Sequence, residues 1–87
     1  MTYEIELTAA ARRALTESLP EAAAVACWEF IRGPMAHNPY RVGKPLRGRF
    51  LGLYAARRGE FRVVYEIIDN QILVRVINID HRRDVYR

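Results

Sequence analysis

Residues 61–79, FRVVYEIIDNQILVRVINI, restrict the possible folds of this chain more than any other stretch, because two β-branched and aromatic runs flank the dipeptide Asp69-Asn70. Strand-forming runs divided by a turn dipeptide predict an antiparallel hairpin. With Asp69-Asn70 as a two-residue turn, Ile67 falls opposite Ile72, Tyr65 opposite Val74, Val63 opposite Val76 and Phe61 opposite Asn78. That face is almost wholly apolar and is expected to lie against helices. The reverse face carries Arg62, Val64, Glu66, Leu73, Arg75, Ile77 and, if the alternation continues, His81. A guanidinium on such a strand needs water, a partner or an anionic ligand.

A third strand, about Gly52 to Arg57, precedes the hairpin across an Arg58-Gly59 turn. The same count sets Ala55 opposite Arg62 and Leu53 opposite Val64, which gathers Arg57, Arg62 and His81 on one surface. Upstream, Tyr3 to Leu7 alternates apolar and acidic residues, as a half-buried strand with Tyr3, Ile5 and Leu7 inward does. Thr8 is placed to cap a helix running to about Ser18. Ser18-Leu19-Pro20-Glu21 has the spacing of a capping box for a second helix, with Ala24, Cys27, Trp28 and Ile31 on its apolar stripe, stopped by Gly33-Pro34. Residues 33–51 have no sustained period and are expected to form a long basic loop carrying Arg41, Lys44, Arg47 and Arg49. The expected fold is α+β: a small twisted antiparallel sheet, made of the N-terminal strand plus a three-stranded C-terminal meander, with two helices on one face.

At 87 residues the chain is expected to form one domain, 1–87, burying only roughly 60% of its unfolded surface. A lone cysteine excludes an internal disulfide framework, and the absence of an apolar run of about 20 residues argues against a membrane span. A reducing, cytoplasmic setting is the default expectation. Charge is unevenly distributed: residues 41–87 carry 11 Lys and Arg against 5 Asp and Glu, whereas residues 1–40 carry 3 against 5. Such a field draws phosphates.

These cations suggest a chemistry. Arg57 and Arg62 offer guanidinium forks for a phosphate, Lys44 can reach in as a point charge, and His81, Arg82 and Tyr86 follow on the tail. Cleavage of RNA through its own 2′-hydroxyl requires in-line orientation, a proton acceptor, charge stabilisation and a proton donor to the leaving oxygen. His81 carries an imidazole suited to proton transfer. Neither a paired-carboxylate site nor a metal-ligand cluster is evident, since Asp80 and Asp84 lie among Arg82, Arg83 and Arg87. No metal or other cofactor is expected.

Lys44-Pro45-Leu46, Gly52, the run Arg57 to Tyr65 containing Phe61-Arg62, and His81-Arg82-Arg83-Asp84-Val85-Tyr86 occur in one order over nearly the whole chain. In this the sequence resembles the RelE branch of the RelE/ParE toxin superfamily, from bacterial and archaeal toxin–antitoxin modules. The resemblance implies a ribosome-dependent messenger-RNA endoribonuclease that is metal-independent and is silenced by a cognate acidic, RelB-like antitoxin in a hetero-oligomer. It further implies that Arg62 contacts the scissile phosphate, that Arg82 stabilises charge and that Tyr86 stacks on or orients a base. Where some relatives carry a lysine pair this sequence has Leu53 and Ala55, leaving Lys44, Arg57 and His81 as candidate replacements. Arg41, Arg47, Arg49, Arg57, Arg58 and Arg83, with Lys44, are the expected RNA and ribosome contacts; Val64, Leu73, Arg75 and Ile77 are expected to meet the antitoxin. The alternative is the ParE branch, a non-catalytic inhibitor of DNA gyrase on the same fold.

Overall fold

A computed structural model describes residues 2–81. Five strands form one mixed sheet in the order β1-β5-β4-β3-β2: β1 is Glu4–Leu7, β2 Lys44–Pro45, β3 Tyr54–Arg58, β4 Phe61–Ile68 and β5 Leu73–His81. The fold is α+β with helices on one face, but the sheet is not purely antiparallel, because β1 runs parallel to β5 with Ile5 beside Val74 and Leu7 beside Val76. Alternation in YEIEL determines which side chains of β1 point inward without fixing the strand's direction.

Thr8 caps α1, Ala9–Arg13, accepting the Ala11 N–H at 3.2 Å, and a π-helical turn extends the helix over Ala14–Ser18. The helix α2, Glu21–Phe30, starts behind Pro20 without a side-chain cap, so the capping-box spacing is not used. Nor does α2 stop at Gly33-Pro34. A π-helical turn over Ile31–Met35 accommodates the proline, which has no N–H to donate, and carries Met35 and Ala36 into the core. Cys27 and Ile31 are buried as expected, and burial pushes the Cys27 thiol up in pKa. Trp28 instead remains 39% exposed.

The long loop expected after residue 33 is largely ordered. A short helix, α3, Pro39–Val42, leads into β2, which pairs antiparallel with β3 through Lys44 opposite Ala55 and Pro45 opposite Tyr54. Between the helices and the sheet, Ala11, Ala14, Cys27, Ile31 and Met35 meet Ala56, Val63, Tyr65, Val74, Val76 and Ile79 in one buried cluster.

Both hairpin registers differ from the simple count. The β3–β4 turn is Gly59-Glu60, with Gly59 at φ +62 and Arg58 opposite Phe61. The β4–β5 connection uses four residues, Asp69 to Ile72, with Ile68 opposite Leu73. Each slip is by two residues, an even number, so the faces are kept as far as Val76. There a bulge intervenes: Tyr65 faces Val76, while Val64 faces Asn78, leaving Ile77 as the extra residue. The Thr8 hydroxyl donates to the Ile77 carbonyl oxygen at 2.6 Å, so one side chain both caps α1 and holds the bulge. Thr8→Ala is expected to lower stability by about 1–2 kcal/mol, read from the urea midpoint, with Thr8→Ser retaining most of it.

Candidate functional site

The bulge sorts the candidate site residues. Beyond Asn78 the alternation of β5 is reversed, so Ile79 turns into the core opposite Val63 and Asp80 comes out beside Arg62. His81 pairs with Phe61, its ring 5.7 Å from the phenyl ring and its Nε2 3.1 Å from Glu60 Oε1. The shared surface expected for His81 and Arg62 therefore does not form; the odd residue at 77 moves the imidazole to the other side of the strand.

Arg57 and Arg62, by contrast, are direct cross-strand partners on the face away from the helices. Like charges set opposite each other destabilise a sheet unless something anionic joins them. In the adjoining row Lys44, Ala55 and Val64 follow one another across β2, β3 and β4. The small Ala55 leaves space between the cations, and Val42, Gly43, Lys44, Leu46, Ala55, Arg57 and Arg62 line a cleft of about 560 Å³. Asp80, next to Arg62 on β5, is held by the Asn78 amide, which donates to it at 2.6 Å. The cleft can thus accept a phosphodiester backbone between two guanidinium forks and an ammonium group.

Arg75 has a different environment. It lies between β1 and β4, donating to Glu6 through Nε and to Glu66 through Nη1 at 3.0 Å, and Glu6 first, then Glu66, holds its guanidinium in the charged form. This ion group spans three strands and commits the one Arg75 guanidinium to two carboxylates, which leaves the group with a net negative charge. Val64, expected to meet the antitoxin, is only 8% exposed, while Leu73 and Ile77 are half-buried. Arg41, Arg47 and Arg49 are exposed along the segment around β2, Arg49 over the Phe50 ring at 5.3 Å. Arg58 pairs with Phe61 rather than entering the cleft and lies by Glu29, Phe30 and Pro34. Arg82, Arg83 and Tyr86 lie outside the described residues.

One group was not anticipated from the sequence. Asp69, in the β4–β5 turn, accepts from the Tyr3 hydroxyl at 2.7 Å and from the Tyr40 hydroxyl. These donors, Tyr40 first, hold its carboxyl below the usual range, and the same bond pushes Tyr40 up to about 12. A carboxylate lowered on folding stabilises the protein above its unfolded value, about 3.9, and that stabilisation disappears as pH falls through the folded value. The wild-type urea midpoint is therefore expected to drop more steeply below about pH 4 than that of Asp69→Asn.

Among the described residues, no group of three or more His, Cys, Asp and Glu side chains could hold a metal ion, and no helix is long and apolar enough to cross a membrane. Residues 5–86 match the family described as the ParE toxin of type II toxin–antitoxin systems, parDE. A Mycobacterium tuberculosis protein named Toxin RelE is 49% identical over 85 residues, covering 98% of this chain and 87% of its own length. Toxin RelG of the same organism is 42% identical over 87 residues, covering 100% of this chain and 99% of its own. Among solved structures, the M. tuberculosis toxin–antitoxin complex RelBE2 matches with a TM-score of 0.89 at 40% identity, over 97% of this chain and 95% of that one. The archaeal RelE–RelB complex from Pyrococcus horikoshii matches with a TM-score of 0.74 at 26% identity, over 98% of this chain and 100% of that one.

Proposed function

We propose that this chain, which belongs to the RelE/ParE family of type II toxin–antitoxin toxins, is a ribosome-dependent endoribonuclease that cuts messenger RNA without a catalytic metal. The observation that carries this reading is the opposition of Arg57 and Arg62 across β3–β4, with Lys44 beside them in an open cleft. Two forced neighbours of like charge are stabilised by a shared phosphate. In the proposed step the 2′-oxygen attacks phosphorus, the P–O5′ bond breaks with O5′ taking a proton from water to leave as a hydroxyl, and the developing charge falls between the two guanidinium groups. Lys44 lines the cleft beside the two arginines, and an amine, unlike a guanidinium, can serve as a general base, so Lys44 is the proposed acceptor of the 2′-hydroxyl proton. Arg82 and Tyr86 enter through the family resemblance, as charge stabiliser and base-orienting aromatic.

The products test this chemistry. Message on programmed ribosomes should be cut to leave a 2′,3′-cyclic phosphate and a 5′-hydroxyl; intact message, or ends bearing a 5′-phosphate, would overturn the assignment. A second reading is favoured by the family description itself, which names ParE: binding and poisoning of DNA gyrase. Induced cells separate the two, because truncated transcripts support the nuclease, whereas DNA breaks and lost supercoiling support the poison.

The partner follows from the relatives, two of which were solved as RelE–RelB complexes. An acidic antitoxin segment is drawn to the cations that line the cleft, Lys44, Arg57 and Arg62, with the partly exposed Leu73 and Ile77 as apolar contacts. Co-expression with a small acidic protein encoded adjacently should restore growth and yield a co-purifying complex.

A further inference from the structure

The carboxylate of Asp69 lies outside the cleft and is tied to one of its walls. Of its two hydroxyl donors, Tyr3 precedes β1 and Tyr40 belongs to α3. The Tyr40 ring meets Tyr54 edge-on at 5.8 Å, and Tyr54 stacks on Tyr65 at 5.8 Å. Tyr65 then donates its hydroxyl to the Pro39 carbonyl oxygen at 2.6 Å, the residue before Tyr40. A closed ring of contacts therefore grips the start of α3.

Only Arg41, Val42 and Gly43 separate this grip from Lys44. That span is closely packed, because at Gly43 there is no room for even a Cβ beside the Tyr65 hydroxyl and the Ala55 carbonyl oxygen, and beyond Lys44 the Leu46 N–H is bonded to Leu53 O at 2.8 Å. A shift of α3 is thus transmitted to the lysine. Hydrogen bonds to an ionised carboxylate are stronger than those between neutral groups, and the Asp69–Tyr40 bond ties this exposed segment to the β4–β5 turn.

We infer that Asp69, acting through the Tyr40 hydroxyl, is a positioning residue that sets the place of Lys44 relative to Arg57 and Arg62. The inference rests on reading the cleft as an RNA-cleaving site. It makes the two arms of the carboxylate unequal: the Tyr3 arm ties the turn to β1 at one edge of the sheet, and only the Tyr40 arm reaches the segment that carries Lys44.

Tyr40→Phe keeps the ring and removes the tether, and Tyr3→Phe does the same for the other arm. On programmed ribosomes, Tyr40→Phe should lower kcat by about ten- to a hundredfold with KM unchanged, while Tyr3→Phe leaves kcat at the wild-type value. Amide exchange at Leu46 should quicken in Tyr40→Phe and not in Tyr3→Phe. Equal kcat losses in the two variants, or wild-type Leu46 exchange in Tyr40→Phe, would overturn the inference. If the wild-type protein leaves message intact, the nuclease assignment falls, and the exchange comparison alone decides whether Tyr40 holds the Lys44 segment.

Discussion

Arg62→Ala is expected to slow cleavage of ribosome-bound message by about a hundred- to a thousandfold, almost entirely in kcat. Arg62 is half-buried on β4, flanked by Arg57 on β3 and Asp80 on β5, so the sheet holds its stem while the cleft receives its head. A preformed cation of this kind does not have to reorganise when charge develops on phosphorus. Lysine retains the charge but not the planar fork, so Arg62→Lys should fall between wild type and alanine. Ribosome binding should change little in either variant, since the exposed cations Arg41, Arg47 and Arg49 lie apart from the chemistry. A folded Arg62→Ala protein that cuts message at the wild-type rate would remove the cleft from the mechanism.

Gly43→Ala should be the most costly single methyl group in the protein. Gly43 has an ordinary extended backbone, φ −133 and ψ −178, so its lack of a side chain is a matter of space rather than conformation. A Cβ there would overlap the Tyr65 hydroxyl and come within 2.8 Å of the Ala55 carbonyl oxygen. Tyr65 is fully buried, with its hydroxyl committed to Pro39 O, and the Ala55 oxygen is backbone within the sheet, so neither can move away freely. The expected loss is about 1–3 kcal/mol, a large share of the roughly 4–13 kcal/mol typical for a chain of this length. Tyr65→Phe alone should cost about 1 kcal/mol for the lost hydrogen bond. In the double variant the alanine gains the space the hydroxyl occupied, so the two losses should sum to more than the double variant shows. Strictly additive denaturant midpoints would mean that the Tyr65 contact is not what excludes a side chain at residue 43.

Several features could be read from residues alone because they depend on parity. Arg57 and Arg62 share a face in the simple count and in the structure, since each register slip was an even number. His81 falls on the wrong face in the simple count because strict alternation is carried past Ile77: that count sets Asn78 and Asp80 on the apolar face, a break in the pattern that marks the bulge but does not by itself locate the extra residue. Helix α2 outran its expected stop because burial of Met35 and Ala36 outweighs the local signal of Gly33-Pro34. Two residues, Lys44 and Pro45, are too few for any periodicity, which hid β2 and with it the way the lysine reaches the cleft. The ion pairs of Arg75 are not legible in the sequence because its partner Glu6 is 69 residues away, on a strand whose neighbour the sequence does not reveal.

The position of β5 bears on how the protein comes into being. It lies between β1 and β4, so the first strand has no neighbour until residues 73–76 have been synthesised, and Arg62 has no Asp80 beside it before then. Pairing across so much intervening chain is slow to nucleate. A nascent copy therefore carries its cations on an unfinished sheet until this strand has emerged.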